Sequence, residues 1–228
     1  MKNIVVLTGA GMSAESGIKT FRDAGGLWEG HDIMEVASPQ GFENNPHLVL
    51  DFYNQRRRQL LEVSPNPAHY GIAQLEDLYN VTVITQNIDD LHERAGSTNV
   101  VHLHGELLKA RSTKNERLIY NWKKDIVVGD HCELDSQLRP YIVWYGEPVP
   151  MLDHAVEITL QADILIIIGT SMQVYPAASL VHYIKPETPI FFIDPKPTIQ
   201  ASDFNNLTII SEIASKGVNI LIEKYLNG

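Results

Sequence analysis

A glycine-rich segment near the start of the chain could bind a phosphate group. Gly9, Gly11 and Ala14 follow an apolar run with the spacing of a pyrophosphate-binding loop. In such a loop the first glycine permits a tight turn and the second lets the backbone approach the phosphate. The small third residue allows close packing of a helix whose N-terminus faces the anion. A glycine pair after a strand is as often a simple turn, so this motif alone does not decide the chemistry.

A second polar segment could bind a carboxamide and a ribose. Gln86, Asn87, Asp89 and Asp90 come directly after the apolar run Val81–Ile84. Amide groups can donate to a carboxamide, and carboxylates can accept from ribose hydroxyls. The alternative is that Asp89 or Asp90 only caps a helix.

Two histidines follow in a segment that alternates apolar and polar residues, which predicts a strand with His102 and His104 on one face. A histidine that titrates near neutral pH is a suitable general base. A structural histidine is the alternative, and the residue types alone leave both open.

A nicotinamide dehydrogenase usually carries an acidic ribose-binding residue about 20 residues after the glycine loop, at the end of a second strand. No such strand follows here. Asp194, directly after the run Ile190–Ile193, has suitable chemistry and position. Its alternative role is a turn-forming aspartate before Pro195.

The elements that must position these residues are short apolar runs alternating with helical patterns. The runs Ile4–Leu7, Val81–Ile84, Ile164–Ile168 and Ile190–Ile193 are typical of buried parallel strands. Helical patterns between them lie at His69–Leu78 and Ala177–Ile184. These patterns predict an α/β fold, a Rossmann-like parallel sheet with helices on both faces, whose ligands bind beyond the carboxyl ends of the strands.

Two stretches interrupt this alternation and predict a small inserted lobe. Glu29–Leu61 indicates a loop followed by a helix at His47–Leu61, and Lys109–Gln137 is polar and irregular. We expect a single catalytic domain over residues 1–228, with a core of about 1–28, 62–108 and 146–228 and a lobe of about 29–61 and 109–145.

Composition narrows the classes of function. A formal net charge of −10 argues against a nucleic-acid-binding surface. The apolar runs are too short for a signal peptide or a membrane span. A lone cysteine, Cys132, excludes an internal disulfide framework and fits a reducing compartment. We therefore expect a cytoplasmic protein without membrane or nucleic-acid partners, and a monomer.

Together these segments resemble the sirtuin family, and they cover nearly the whole chain in the family's order. The matching segments are Gly9–Ile18 with Phe21 and Arg22, Thr85–Asp89 with Leu91, His92 and Arg94–Gly96, His102–Gly105, Arg139 and Pro140 with Val143–Glu147, Gly169–Ser171 with Val174–Ala177, and Ile193 with Asp194.

The resemblance implies an NAD-dependent protein-lysine deacylase. NAD would be bound by Gly9, Ala10, Gly11, Ser13, Glu15, Phe21, Arg22, Gln86, Asn87, Ile88, Asp89, Gly169, Thr170, Ser171, Asp194 and Pro195, with Ala214 near the adenine. Catalysis would use His104, Asn87 and Asp89. The acyl oxygen would attack the nicotinamide ribose, and His104 would then deprotonate a ribose hydroxyl, giving nicotinamide and O-acyl-ADP-ribose. The substrate peptide would pair by strand addition with Val143, Trp144, Tyr145, Gly146 and Glu147.

One pair of residues bears on the acyl group. Tyr53 and Arg56 share a face of the predicted helix, where a phenol and a guanidinium could bind a carboxylate. An arbitrary pair at this spacing is more often solvated. Here the segment resembles class III sirtuins, whose tyrosine and arginine hold succinyl- or malonyl-lysine, and Ala37 matches the small residue that widens the acyl pocket in that class.

The chain departs from the family in two places. Most sirtuins hold a structural zinc with two Cys-x-x-Cys pairs, whereas here Cys132 is the only cysteine. His131, Cys132 and Asp135 lack an evident fourth ligand, so we expect no metal. We expect packing of Leu118, Ile119, Tyr120, Trp122, Ile126 and Val127 to hold the lobe. The second departure is Asp194, where the family usually has asparagine; an ionised carboxylate would repel a phosphate nearby.

Two other functions compete with the deacylase. An ADP-ribosyltransferase or NAD hydrolase would share every residue needed for nicotinamide release, although Tyr53, Arg56 and the peptide-pairing segment favour a deacylase. A non-catalytic NAD-binding module would not need the base His104.

Overall fold

The structure is a computed structural model that describes residues 1–19, 27–28 and 30–226. Phe21 and Arg22, both expected at the NAD site, lie outside the described residues. The strands are β1 (Asn3–Thr8), β2 (Leu27–Trp28), β3 (His31–Asp32), β4 (Asn80–Thr85), β5 (Val100–His102), β6 (Gly105–Ser112), β7 (Ile119–Asn121), β8 (Leu138–Ile142), β9 (Ile164–Ile168), β10 (Ile190–Ile193) and β11 (Leu207–Ile210). The α-helices are α1 (Ile33–Val36), α2 (Pro39–Asn44), α3 (Pro46–Glu62), α4 (Pro67–Gln74), α5 (Leu91–Ala95), α6 (Leu152–Thr159) and α7 (Ala214–Leu221).

The apolar runs of the sequence form neighbouring parallel strands, as predicted. Within the described residues the main sheet has six parallel strands in the order β11-β10-β9-β1-β4-β5. After β1 the chain builds one side of the sheet with β4 and β5, and then the other with β9, β10 and β11. This reversal places a crevice at the carboxyl ends of β1 and β9, where open parallel sheets bind their ligands.

Both faces of the sheet are covered, because side chains alternate along each strand. Ile4 and Val6 of β1 belong to the core on the face packed by α4 and α7. Val5 and Leu7 belong to the opposite core, which α6 and the 3-10 helix Ala177–Tyr183 cover. The fold class is therefore the predicted one, with a 3-10 helix where the sequence pattern predicts an α-helix at Ala177–Ile184.

Helix α3 extends the predicted segment His47–Leu61 by one residue at each end. Asn45 begins it, because its side chain accepts from the backbone N–H of Leu48 at 3.1 Å, and Pro46 occupies the first turn. Its buried face includes Val49, Tyr53 and Leu60, so the helix presents Tyr53 to the protein interior. Among the described residues, no helix is both long and apolar enough to span a bilayer.

Arg57 ties α3 to the small lobe, a role that the sequence pattern does not reveal. Its fully buried guanidinium donates to the Leu107 carbonyl at 3.1 Å and to the Asn54 side chain at 2.6 Å. Asn54 in turn bonds both backbone groups of Ile126. Burial lowers the pKa of Arg57 to about 10, so the group remains charged at neutral pH and needs these acceptors.

The small lobe is more regular than predicted. Strands β6 and β7 occupy part of the stretch Lys109–Gln137, and with β8 they form an antiparallel sheet in the order β7-β6-β8. Because β6 begins at Gly105, it crosses the predicted boundary between core and lobe, and the division itself stays a prediction.

The predicted core of the lobe is correct in part. Ile126 is buried, and Leu118, Tyr120 and Trp122 pack around it. Ile119 and Val127 do not belong to this core, because they are 41% and 55% exposed. Ile119 precedes Tyr120 on β7, so its side chain points to the opposite face of the strand.

Candidate active site

A cavity of about 540 Å³ is lined by the residues that follow β1, β4, β9 and β10. Of the predicted site residues that the structure describes, all except Arg56 line it: Gly9, Ala10, Gly11, Ser13, Glu15, Ala37, Tyr53, Gln86, Asn87, Ile88, Asp89, His104, Val143, Trp144, Tyr145, Gly146, Glu147, Gly169, Thr170, Ser171, Asp194, Pro195 and Ala214. The volume lies within the usual range for small-molecule sites.

The glycine loop packs directly against the loop after β9. Gly11 N–H donates to the Gly169 carbonyl at 2.8 Å. A Cβ at Gly11 would lie 2.6 Å from Gly169 Cα, and one at Gly9 would lie 2.8 Å from the Gly169 carbonyl oxygen. These glycines therefore allow two backbones to meet, in addition to any approach to a phosphate.

The helix expected after this loop is not formed, and that expectation is wrong. Two short 3-10 turns occur instead, at Ala10–Met12 and Ala14–Ser16. The second turn ends at Gly17, whose φ of 93° lies in the left-handed region. Anion binding here would depend on backbone N–H groups of the loop rather than on a long helix dipole.

Ser13, Asn87 and Asp89 form one hydrogen-bonded cluster. Ser13 Oγ donates to Asp89 Oδ2 at 2.9 Å, and Asn87 Nδ2 donates to the Gly9 carbonyl and to Ser13 Oγ, both at 3.1 Å. Burial raises the pKa of Asp89 to about 6, although the bond from Ser13 opposes the shift. Asp89 Oδ1 also accepts from Leu91 N–H, so the carboxylate supports the start of α5 as well.

His104 has the geometry of a base with a defined tautomer. Its Nδ1 lies 3.1 Å from the Gln86 carbonyl, which can only accept, so Nδ1 carries the proton. Nε2 is then the basic nitrogen. Burial lowers the pKa of His104, and the bond to the Gln86 carbonyl only partly offsets this. The imidazole is therefore neutral at physiological pH and able to take a proton.

His102 differs from His104, and the prediction that both share one strand face is wrong. Strand β5 ends at His102 and β6 begins at Gly105, so His104 lies between strands. The His102 ring contacts the Asn87 carbonyl at 3.0 Å and Glu93 Oε1 at 2.7 Å. Burial opposes its charged form most strongly, but the bond to Glu93, the bond to the Asn87 carbonyl and the nearby charges of Glu93 and Glu106 together outweigh burial and raise the pKa of His102. Its role is structural.

The far end of the cavity joins β10 to α7. Asp194 is 2% exposed, and its Oδ1 accepts from the Lys196 N–H at 2.8 Å, so it forms a turn and lines the cavity at once. Glu15 accepts from the N–H of Ser215 at 2.8 Å and from its hydroxyl at 2.6 Å. This pair fixes the first turn of α7, and with it Ala214, against the glycine loop.

The structure separates the two residues of the predicted carboxylate receptor. Tyr53 lines the large cavity with Ala37. Arg56 lines a smaller adjoining cavity of about 60 Å³, which shares Trp28 and Asp89 with the large one. The Arg56 guanidinium stacks 3.3 Å from the centre of the Phe52 ring and donates to the Phe52 carbonyl at 2.6 Å.

Some backbone N–H groups of the segment from Val143 to Glu147 already donate to carbonyls elsewhere in the protein. Val143 N–H donates to the His104 carbonyl and Tyr145 N–H to the Ala37 carbonyl, both at 2.9 Å. A substrate strand would therefore pair with other backbone groups of the segment. The carboxylate of Glu147 accepts from Arg111, Arg139 and the Trp144 N–H, which gives it a structural role.

The small lobe holds Cys132 and His131 apart from any cluster of ligands. Among the described residues, no three histidine, cysteine, aspartate or glutamate side chains converge. Cys132 Sγ lies 3.3 Å from Ser112 Oγ, and His131 Nδ1 lies 2.8 Å from Asp135 Oδ1. The absence of a structural zinc stays a prediction.

Comparison with known families identifies the family to which this fold belongs. Residues 9–176 match the model of the Sir2 family. The chain belongs to the Sir2 family. This membership confirms the resemblance drawn from the sequence motifs.

Relatives match this Sir2-family chain over nearly its full length. An NAD-dependent protein deacylase of Helicobacter pylori (strain J99 / ATCC 700824) is 59% identical over 226 residues, covering 99% of this chain and 96% of that protein. A Sir2 homologue solved in complex with NAD superposes with a TM-score of 0.88 at 39% identity, covering 97% and 88% of the two chains. A Sir2 structure with 2′-O-acetyl-ADP-ribose and a deacetylated p53 peptide gives 0.78 at 30% identity, covering 97% and 93%.

A buried hydrogen-bonded network, which the sequence motifs did not reveal, also supports the Sir2 site of this chain. Thr8 and Thr85 end adjacent strands, and their hydroxyls lie 2.8 Å apart. His92 Nε2 lies 3.1 Å from Thr8 Oγ1, and Thr85 Oγ1 accepts from the Asn87 N–H at 3.0 Å. A threonine directly after each of two apolar runs was the available signal. Through the bond from the Asn87 N–H to Thr85, the network fixes the position of Asn87.

Proposed function

We propose that this chain, an NAD-dependent protein-lysine deacylase, prefers succinyl- and malonyl-lysine to acetyl-lysine. The observation that carries the preference is the buried Tyr53 hydroxyl in the large cavity beside Ala37, with Arg56 one helical turn away. The products are free lysine, nicotinamide and O-acyl-ADP-ribose. The substrates are acyl-lysine side chains of peptides or proteins.

The residues present fit NAD. The packed loops around Gly9, Gly11 and Gly169 leave an open cleft at the carboxyl ends of the strands, and the N–H groups of the first loop can meet the phosphates. Asp194 would accept from ribose hydroxyls, and Ala214 at the start of α7 would border the adenine. Bound NAD supplies the electrophilic ribose carbon and the nicotinamide leaving group.

Within this chain His104 is the general base. The Gln86 carbonyl fixes the proton on Nδ1, so Nε2 can take a proton from a ribose hydroxyl. Asn87 and Asp89, held by Ser13, orient the groups around the nicotinamide end of the cleft.

The acyl end of the cavity determines the preference. The buried Tyr53 hydroxyl can donate to a carboxylate, and Ala37 leaves room for a longer acyl chain. Arg56 contributes to the electrostatic environment of Tyr53. Direct contact with the substrate requires the Arg56 side chain to turn from Phe52 toward the large cavity. A charge-assisted bond of this kind stabilises an acidic acyl group and gives nothing to an acetyl group.

The test compares kcat/KM for matched succinyl-, malonyl- and acetyl-lysine peptides. Arg56→Met should lower the succinyl value by about 10- to 100-fold and change the acetyl value by less than about threefold, because only the acidic chain loses a charge-assisted contact. Arg58→Met is the matched control, since Arg58 lies on the same helix in an exposed ion pair with Asp125. Equal losses on both substrates after Arg56→Met would contradict the proposal. Free ADP-ribose without deacylation would instead support an NAD hydrolase.

A further inference from the structure

The indole of Trp144 is the hydrogen-bond partner of Tyr53. Trp144 Nε1 donates to the Tyr53 hydroxyl oxygen at 3.0 Å, and both side chains are buried, with exposures of 2% and 0%. Their ring planes are tilted by 33°. The bond joins the segment after β8 to helix α3, across the acyl end of the cavity.

Trp144 is itself held from two sides. The guanidinium of Arg139 lies 3.3 Å from the centre of the indole ring. Arg139 also binds Glu147 at 2.6 and 3.0 Å, and Glu147 Oε2 accepts from the Trp144 N–H at 2.8 Å. Stacking on one face and a bond to the backbone therefore fix the direction in which the indole N–H points.

This arrangement determines how Tyr53 can interact with a ligand. An indole N–H is a donor only, so the Tyr53 oxygen must accept from it. The phenol proton then has to point elsewhere. Among the described residues, Trp144 is the single hydrogen-bond partner of the Tyr53 hydroxyl. Burial raises the pKa of Tyr53, so the phenol keeps its proton at neutral pH and can offer it to an acceptor in the cavity.

We propose that Trp144 is a specificity-positioning residue: it occupies the acceptor side of the Tyr53 hydroxyl and so directs the phenol proton toward an acidic acyl group. Arg139 and Glu147 hold Trp144 in this orientation. The inference rests on the proposed acyl preference and deepens it, because it names the residue that leaves the Tyr53 hydroxyl to act as a hydrogen-bond donor to the substrate.

Trp144→Phe tests this role, because phenylalanine keeps an aromatic ring against Arg139 and removes only the N–H donor and part of the ring. We expect the ratio of kcat/KM for the succinyl peptide to kcat/KM for the acetyl peptide to fall about tenfold. Trp122→Phe is the matched control, since Trp122 Nε1 donates to the Asp125 carbonyl in the small lobe. It should leave the ratio of the two substrates unchanged.

A double-mutant cycle separates positioning from simple loss of structure. If Trp144 acts through the Tyr53 hydroxyl, Trp144→Phe should have no further effect on the succinyl-to-acetyl ratio in a Tyr53→Phe background. Full additivity of the two substitutions, or an equal loss on both substrates, would overturn the inference about Trp144. The proposed function would still stand in that case if the wild type prefers the succinyl peptide. A wild type without that preference would overturn both.

Arg139→Lys is the second variant if Trp144→Phe does not fold. Lysine lacks the planar guanidinium that stacks on the indole, so the Trp144 N–H should lose its fixed direction. We expect a smaller but still selective loss on the succinyl peptide, measured on protein whose folding is verified by its thermal transition. An unselective loss would overturn the inference.

Discussion

Ser13 Oγ donates to Asp89 Oδ2 at 2.9 Å, and this bond joins the loop after β1 to the loop after β4. The carboxylate that accepts it is 6% exposed, and burial raises its pKa to about 6. Asp89 is therefore ionised at neutral pH in a place that disfavours its charge. A site that keeps such a carboxylate gives up stability for function.

Asp89→Asn should stabilise the protein at neutral pH while impairing catalysis. The pKa of this carboxyl rises from 3.8 to about 6 on folding. The stability that the folded protein loses through this carboxyl therefore increases from about pH 4 to about pH 6 and is constant at higher pH. The shift corresponds to about 1–3 kcal/mol. Thermal unfolding should show a melting temperature higher by a few degrees at about pH 7.5, with the difference vanishing near pH 4.

The exposed residue Glu187, in the loop before β10, provides the control for that measurement. Glu187→Gln should leave the melting temperature unchanged at both pH values. A lower melting temperature for Asp89→Asn at neutral pH would show that the ionised carboxylate is required by the fold.

Much of the fold could be predicted, because buried parallel strands leave a simple pattern. The continuous apolar runs at Ile4–Leu7 and Ile164–Ile168 have no alternation to confuse them with half-exposed strands. Polar residues directly after such runs must gather at one edge of the sheet, and this edge is where Asn87 and Asp194 lie.

Other features depend on tertiary contacts that no local pattern encodes. The position of Arg56 beside Phe52 is a choice between side-chain rotamers, and helical spacing gives only its face. Arg57 carries a charge into the interior because acceptors from β6 and Asn54 meet it there. Strand β11 lies partly buried at the edge of the sheet, and its sequence has the same apolar pattern as the run Val81–Ile84, so a signal for this strand was present and was missed.

Gly169→Ala should be strongly destabilising. The residue has a φ of 62°, and a Cβ there would lie 2.4 Å from the Met12 nitrogen and 2.6 Å from Gly11 Cα. These are backbone atoms of the packed glycine loop, so they cannot move alone. We expect the free energy of unfolding to fall by more than about 3 kcal/mol, since positive φ alone costs an alanine about 1–2 kcal/mol.

Gly129→Ala separates the clash at Gly169 from the cost of positive φ. Gly129 has a φ of 101°, and nothing lies within 4 Å of its Cβ position. Urea denaturation of both variants should give the smaller loss for Gly129→Ala. Equal losses would mean that the contact between the two loops does not limit substitution at Gly169.

Removal of metal should leave the protein unchanged. Cys132 is the only cysteine of the chain, and it is buried against Ser112 in the small-lobe core. We expect elemental analysis to find no stoichiometric zinc, and a chelator to alter neither the melting temperature nor deacylation. Cys132→Ser should also contain no stoichiometric zinc and should not respond to the chelator. One equivalent of zinc that is lost in Cys132→Ser would overturn the expectation.

Asp194→Asn should lower the KM for NAD. Asp194 lies at the carboxyl end of β10 in the cavity wall, where an ionised side chain repels the phosphates of the dinucleotide. Asparagine keeps an acceptor for the Lys196 N–H and for a ribose hydroxyl, but it removes the charge. Removal of one like charge from a partly solvated cleft corresponds to a change of about three- to tenfold. The measurement is an NAD titration at a saturating peptide concentration and at two salt concentrations. The advantage of the variant should shrink at high salt, because screening weakens the repulsion in the wild type.

Asp153→Asn, which removes an exposed carboxylate on α6, should leave the KM unchanged. A higher KM for Asp194→Asn would instead mean that the carboxylate itself binds the ribose more strongly than the amide does.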